Sequence, residues 1–340
     1  MELKNFLKKI KTYKIWYFIV RFIIKPIYDF IWLNIINFHG RILYFMWVIP
    51  RKKKFNFKND KYLYENQNLE ILVNKIKNDL NYNKISKVIS DLQNYKDKSD
   101  NLTNSEKKKF KEEIINLLEL NTKKETYEFC LSDDIITIVS SYLGLLPILN
   151  NITIYINIPK DAEDIRGSMH WHRDDFGYKS LDLFVPITDV DDNNGPFYYV
   201  REKEKLGRFI NYKNEIKDPV RGDRGKIEEK NFKFSSDDKE HINKFSGKAG
   251  NGLFIDSFNN YHKGGHCKKN YRIMLRITYS TVDTHITSED YYAKSLIDIR
   301  KDFNTSKFRN FILNKKSNLI SKLKIYKFFK KFYRFLSFRY

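Results

Sequence analysis

Four of the seven histidines fall in two short stretches, His170 and His172, then His262 and His266. The first stretch reads Met169-His170-Trp171-His172-Arg173-Asp174-Asp175. In extended chain, residues two apart point to the same side. His172 and Asp174 then face together, His170 shares that side, and Trp171 and Arg173 face away. An imidazole and a carboxylate so placed can hold two adjacent positions of one metal ion, and a third ligand from elsewhere would leave one face of the ion open. His170 and Asp175 are alternatives for these two positions. His-x-Asp alone occurs by chance, so the rest of the chain must supply a third ligand and a cosubstrate anchor.

His262 follows His172 by 90 residues. It comes after the strand-like run Gly252-Leu-Phe-Ile-Asp256 and before Gly264-Gly265, where the backbone can turn sharply. Ten residues on, Arg272 opens a strand whose other face is apolar. An arginine buried in a barrel needs an anion, and its planar fork suits a carboxylate. Arg276 shares its face and could take the same role. The order is therefore His-x-Asp, a long gap, His, then Arg about one strand later. His266 reads as turn polarity and Asp256 as a strand end.

The elements that must position these residues are strands. Residues 151–158 alternate with β-branched side chains and end at Pro159. Residues 181–187 form another strand, which runs into the tight turn Asn194-Gly-Pro196 before residues 197–200 resume. In 271–279, Ile273, Leu275 and Ile277 take one face while Arg272, Met274, Arg276 and Thr278 take the other. Upstream, Leu69, Leu72, Ile76 and Leu80 recur at helical steps, as do Ile114, Leu117, Leu118 and Leu120. Residues 132–144 read as a helix capped by Ser132, with acids in its first turn, and stopped by Gly144. These helices are expected to cover one face of a sheet. Residues 201–248 are highly charged and read as a surface insertion, either a lid or a solvated excursion.

The hydrophobic fraction of 41% supports a sizeable core and excludes a disordered chain. Two cysteines, Cys130 and Cys267, exclude a disulfide framework and point to a reducing compartment. The net charge of +21 is uneven. Residues 1–58 hold 13 Lys/Arg and 2 acids, and residues 300–340 hold 13 Lys/Arg and 1 acid. The middle, 59–299, keeps 37 basic and 39 acidic residues, so the excess charge belongs to the ends and bears on attachment rather than on fold. Residues 15–50 interleave aromatic and aliphatic runs with Arg21, Lys25, Asp29 and Arg41. No run approaches the roughly 20 uncharged residues that cross a bilayer, and a cleaved signal fits poorly. Aromatics mixed with Lys/Arg suit a segment lying in the headgroup region; the alternative is a helical collar packed on the core. From Ser321, Leu323, Tyr326, Phe329, Phe332 and Leu336 oppose Lys322, Lys327, Lys331 and Arg334, a basic amphipathic helix. With no recognition motif for nucleic acid, the ends are expected to meet an anionic membrane surface. The chain is then cytoplasmic and peripheral at the membrane.

The core resembles the phytanoyl-CoA dioxygenase family of Fe(II)- and 2-oxoglutarate-dependent oxygenases. The matching pieces are His170-Trp-His-Arg-Asp174, Leu183-Phe-Val-Pro-Ile-Thr-Asp-Val-Asp191 with Asn194-Gly-Pro196, Ala249-Gly-Asn-Gly-Leu-Phe-Ile-Asp256, His262-Lys-Gly-Gly265 and Arg272. They span about 145–282, less than half the chain. The resemblance implies a mainly β fold with flanking helices, a double-stranded β-helix (jelly roll, cupin-like) with helical extensions at both ends. It implies His172, Asp174 and His262 as iron ligands and Arg272 as partner of the cosubstrate's distal carboxylate. Cofactors would be Fe(II) with 2-oxoglutarate as cosubstrate, and O2 and a small-molecule or lipid substrate would be the other reactants. One departure is Arg201-Glu-Lys-Glu-Lys205, which stands where the family has a small Gly-Ser-His-like segment and leaves the substrate side open.

The expected organisation is a basic aromatic segment at 1–58, a jelly-roll domain with helical cover at 59–299, and basic amphipathic helices at 300–340. The expected function is a 2-oxoglutarate-dependent dioxygenase acting on a small-molecule, lipid or lipid-linked substrate at the membrane surface. The competing reading is an inactive jelly-roll protein that binds membrane or a partner through its basic ends.

Overall fold

The computed structural model describes residues 22–23, 25–51, 63–94, 111–159, 167–172, 174, 179–200, 242–257, 260–281 and 312. The charged stretch 201–241 and the amphipathic run from Ser321 lie outside them. The described strands are β1 (Leu63–Tyr64), β2 (Lys111–Glu113), β3 (Ile148–Asn157), β4 (Ser180–Pro186), β5 (Phe197–Val200), β6 (Ile242–Phe245), β7 (Gly252–Ile255), β8 (His262–Gly264) and β9 (Arg272–Ser280). They form a six-stranded sheet in the order β1-β7-β4-β9-β3-β2 and a three-stranded sheet in the order β6-β5-β8. All pairings are antiparallel. The described architecture is a mixed one of helices and antiparallel sheet.

Alternation along the long strands divides the large sheet into two faces. Ile152, Ile154 and Ile156 of β3, Leu181, Leu183 and Val185 of β4, and Ile273, Leu275, Ile277 and Tyr279 of β9 are buried in the main core. That core is completed by helices α3 (Gln67–Asp79), α4 (Tyr82–Asn94), α5 (Leu120–Cys130) and α6 (Asp133–Leu143). Burying an aliphatic side chain of this size contributes about 1.5–3 kcal/mol, so this face supplies most of the packing. The opposite face packs on the small sheet: Tyr155, Phe184, Leu253, Ile255 and Met274 meet Phe197 and Phe245. Phe184 and Phe197 lie 4.7 Å apart between ring centroids.

Most expected elements appear. Leu69, Leu72, Ile76 and Leu80 are all buried, on and just after α3, which Asn66 caps by accepting from the Asn68 amide at 2.8 Å. Gly144 ends α6 with φ +76°, a left-handed residue that glycine takes without Cβ strain. Ser132 occupies the N-cap position of α6, but its hydroxyl makes no capping bond; Asp133 and Asp134 provide the favourable charge there.

Two expectations are corrected, and one strand appears that the sequence did not announce. Of the run Ile114, Leu117, Leu118 and Leu120, only Leu120 lies in an α-helix, as the first residue of α5. Just before this run, β2 pairs with the edge of β3, and a 3₁₀ turn at Ile115–Leu117 follows, which buries Ile114, Ile115 and Leu118 without an α-helix. Cross-strand pairing overrides a three- and four-residue spacing that fits either form. Residues 242–245 are not insertion but the strand β6, paired with β5. The dipeptide β1, too short to read, pairs with β7.

The N-terminal segment is helical over 25–51, through α1 (Lys25–Phe30), the π-helical turn Ile31–Ile36, α2 (Phe38–Leu43), the π-helical turn Tyr44–Val48 and a final 3₁₀ turn at Ile49–Arg51. Tyr44 and Val48 are buried in the core, with Leu33, Leu43 and Trp47 packed against it. Arg41 donates to the Gly144 carbonyl, a cation at the C-terminal end of α6. The other side is an exposed apolar stripe, including Ile27, Phe30, Phe38, Ile42, Phe45 and Met46, with Phe30 61% and Met46 70% exposed. No helix among the described residues is long and apolar enough to cross a membrane. Ile312, from the basic C-terminal region, is buried in the main core.

Candidate metal centre

One β-bridge joins the two histidine stretches. The His172 amide donates to the His262 carbonyl at 3.0 Å and the His262 amide returns a bond to the His172 carbonyl at 2.9 Å. The imidazoles therefore stand side by side, with ring centroids 4.3 Å apart. Two residues on, the Asp174 amide donates to the Ser257 carbonyl at 2.9 Å, which fixes the third group on the same side. Trp171 points the other way, into a cluster with Val200 and Tyr261 on the far face of the small sheet.

The backbone also sets the tautomers. His172 Nδ1 lies 2.8 Å from the His170 carbonyl and His262 Nδ1 lies 3.1 Å from the Asn260 carbonyl. A carbonyl only accepts, so each Nδ1 carries the proton and each Nε2 is left with a lone pair. Both Nε2 atoms face the Asp174 carboxylate, at 3.7 Å from Oδ1 for His172 and 3.7 Å from Oδ2 for His262. An ion with bonds of about 2.1 Å spans ligand pairs up to about 4.2 Å apart, so both separations fit one ion. The three ligand atoms lie within 4.8 Å of one another, and the described residues hold no other such group.

The charge balance suits a metal ligand set. Burial pushes the His262 imidazole down, against the pull of Asp174, which favours the neutral form that coordinates. Burial opposes ionisation of Asp174, but Arg276, His262 and His172 outweigh it and hold the carboxyl well below the usual range. Arg276 is the main holder. It donates to Asp174 Oδ2 and forks onto Asp182, Nε to Oδ1 and Nη2 to Oδ2, both at 3.0 Å. Asp182 is fully buried and also accepts from Ser257 and Thr278. Arg276 is thus engaged by two carboxylates and does not serve as a free anchor for a third.

Arg272 is buried across the cavity. Its Nη2 donates to the Asn157 side-chain carbonyl at 3.3 Å, and its Nε is buried without a partner. Arg272, His172 and His262 line one partly open cavity between the sheets, with Phe184, Phe197 and Phe245 as its apolar wall. His170 stays outside the cluster and contributes its carbonyl. Asp175 lies outside the described residues. Asp256 accepts from the Tyr142 hydroxyl at 2.5 Å, a tie to α6.

One glycine pair, Gly195 and Gly265, clamps the end of the strand that carries His262. A Cβ on Gly195 would sit 2.5 Å from the Gly265 carbonyl oxygen, and one on Gly265 would sit 2.2 Å from the Pro196 carbonyl oxygen. The Gly265 amide donates to that Pro196 oxygen at 2.6 Å. Asn194-Gly-Pro196 and Gly264-Gly265 are therefore two halves of one contact. Sequence reasoning missed Asp182 and Lys111. Asp182 could have been found as an acid alternating with leucines along a strand; it pairs with Thr278, diagonal to Arg276. Lys111 carried no signal, because a three-residue edge strand has no pattern of its own.

No family profile and no curated protein matches the sequence. Among solved structures, the chain is similar to the non-heme alpha ketoglutarate dependent epimerase SnoN from nogalamycin biosynthesis, at 12% identity over 66% of this chain and 92% of that one, TM-score 0.37. A second structure of SnoN, in complex with Fe3+, alpha ketoglutarate and nogalamycin RO, matches at 13% identity over 66% and 93%, TM-score 0.39. The non-heme monooxygenase ThoJ matches at 17% identity over 59% and 71%, TM-score 0.33.

Proposed function

We propose that the chain is an Fe(II)- and 2-oxoglutarate-dependent oxygenase, with the two sheets as halves of a double-stranded β-helix and its relatives in the phytanoyl-CoA dioxygenase family. The observation that carries this reading is the convergence of two tautomer-fixed imidazoles and one ionised carboxylate on a cavity wall. Two histidines and one carboxylate with an open face are the donor set of non-haem Fe(II) oxygenases. The orphaned Nε of Arg272 fits the cosubstrate, because a buried guanidinium donor without a partner calls for a carboxylate.

Iron and 2-oxoglutarate, when bound, supply O2 activation coupled to oxidative decarboxylation, giving succinate and CO2. The chain's part is to hold and orient. His172, Asp174 and His262 would ligate, Arg276 would keep Asp174 ionised and aimed, and Arg272 would hold the distal carboxylate. Phe184, Phe197 and Phe245 would keep water from the reacting atoms. The test is anaerobic Fe(II) binding and succinate formation by wild type and Asp174→Ala. Wild type should bind one iron and consume 2-oxoglutarate, and the variant should do neither. A wild type that binds no iron leaves the inactive jelly-roll reading.

The substrate in this reading is a small molecule, a lipid or a lipid-linked compound met at an anionic membrane surface by a cytoplasmic, peripheral protein. Its support is the apolar stripe of the 25–51 helical segment within a region carrying 13 Lys/Arg against 2 acids. Such a helix lies in the interface with its apolar side down and its cations toward anionic headgroups. The basic C-terminal region has the same sign of charge and so is a poor cover for this face. Replacing Phe38, Phe45 and Met46 with Ser should release the full chain from phosphatidylserine vesicles without lowering its melting temperature. Unchanged binding removes this stripe as the membrane face.

A further inference from the structure

The two faces of the large sheet come together at the end of β7. Leu253 and Ile255 pack on the cavity side and Phe254 on the helix side. Continued alternation sends Asp256 toward the helices and Ser257 toward the cavity. The hydrogen bonds follow that division. The Tyr142 hydroxyl on α6 donates to Asp256 Oδ2 at 2.5 Å, while the Ser257 hydroxyl donates to Asp182. The ladder between β7 and β4 ends where Ile255 pairs with Asp182, so Asp256 stands just past it.

The turn that begins at Asp256 holds the ligand set at two points. The Ser257 carbonyl accepts from the Asp174 amide at 2.9 Å. The Asn260 carbonyl lies 3.1 Å from His262 Nδ1 and takes its proton. The turn also closes on its own start, because the Asn260 amide and side-chain NH2 both donate to the Asp256 carbonyl, at 2.9 and 3.0 Å. A shift of Asp256 therefore moves the supports of two of the three candidate ligands together. On the helix side the support is firm. Ile135, Ile136, Val139 and Leu143 fix α6 in the core. Past its end, Arg41 donates to the Gly144 carbonyl and the Leu146 amide donates to the Gly40 carbonyl at 2.9 Å.

We propose that Tyr142 and Asp256 are positioning residues for the metal centre: their hydrogen bond anchors to α6 the turn that holds Asp174 through the Ser257 carbonyl and His262 through the Asn260 carbonyl. The proposal rests on the reading of His172, Asp174 and His262 as metal ligands. It adds a support that neither touches the metal nor lines the cavity. Groups that orient ligands set metal affinity nearly as strongly as the ligands' own chemistry does. A bond serving stability alone would change the melting temperature and leave the metal centre as it is.

The test is Co(II) titration of the full-length protein, read by calorimetry and by the d–d absorption of the bound ion, with the melting temperature of the metal-free protein beside it. Tyr142→Phe removes one hydroxyl and keeps the ring. It should weaken Co(II) about tenfold, the lower end of what loss of a ligand-orienting group costs, and change the d–d spectrum. Asp256→Ala should do the same, and the double variant should be no weaker than either single one, because both remove one bond. Asp256→Asn keeps an oxygen for the Tyr142 hydroxyl and should retain most of the affinity. Leu275→Ala, on the helix face, is the control for lost stability. Wild-type affinity and spectrum in Tyr142→Phe overturn the proposal and leave the metal reading standing. Equal weakening by Leu275→Ala overturns it too, since the effect is then global. A wild type that binds no Co(II) overturns the metal reading itself, and the proposal with it.

Discussion

The two faces of the six-stranded sheet are made by the same strands and do different work. Leu275 and Arg276 are neighbours in β9. Leu275 is fully buried among the aliphatic side chains under the helices. Arg276 points the other way, onto Asp174 and Asp182 beside the candidate metal centre. On the helix face, what matters is volume, because dispersion and burial are non-directional. On the inner face, what matters is where each donor and acceptor lies, because a buried charge is tolerated only when matched. A strand can serve both because its side chains alternate. A slip of one residue would exchange the faces and lose both.

Neighbouring substitutions test that division, and the largest effect is expected at Arg276. Arg276→Met strands Asp174 and Asp182 without their cation and should cost about 3–5 kcal/mol. It should also weaken metal binding, measured by Co(II) titration. Leu275→Ala should lower stability by about 2–5 kcal/mol through a cavity, with metal affinity unchanged per folded molecule. Equal effects of both on metal affinity would break the comparison. Gly265→Ala tests the clamp behind His262. A Cβ there meets backbone rather than a movable side chain, so a loss of about 1–3 kcal/mol in urea unfolding is expected. The smallest effect is in pH. Asp174 and His262 are both held below their ordinary values, so the unfolded chain takes up protons first. Stability of the metal-free protein should be full above the ordinary imidazole value, fall below about pH 6.5 as unfolded His262 charges, and fall again below about pH 4 as unfolded Asp174 protonates. The slope is at most about 1.4 kcal/mol per pH unit for each proton. Urea midpoints between pH 3 and 8 check this; a midpoint that rises toward acid would contradict it.

The long strands, α3 and α6 were legible because each has a sustained period and end signals. The pairing of His172 with Asp174 on one side was legible for the same reason. Lys111 was not, since three strand residues at an edge have no pattern of their own and take their form from β3. Ser132 looked like a cap by type, yet its hydroxyl makes no capping bond. The N-terminal segment was read as either a collar or a surface-lying helix. Its described part packs one side through Tyr44 and Val48 and leaves an apolar stripe on the other.

By itself the sequence determined which residue types were present to bind a metal, the order in which they come, and which of them share a strand face. Those are local properties, set by the two-residue period and by the chemistry of imidazole and carboxylate. The tertiary structure decided that His262 bridges to His172, that Arg276 belongs to Asp174 and Asp182, and that Lys111 looks into the same cavity as Arg272. Each of these depends on strands far apart in sequence meeting in one register, and register is fixed by the burial of a whole sheet face rather than by any single residue.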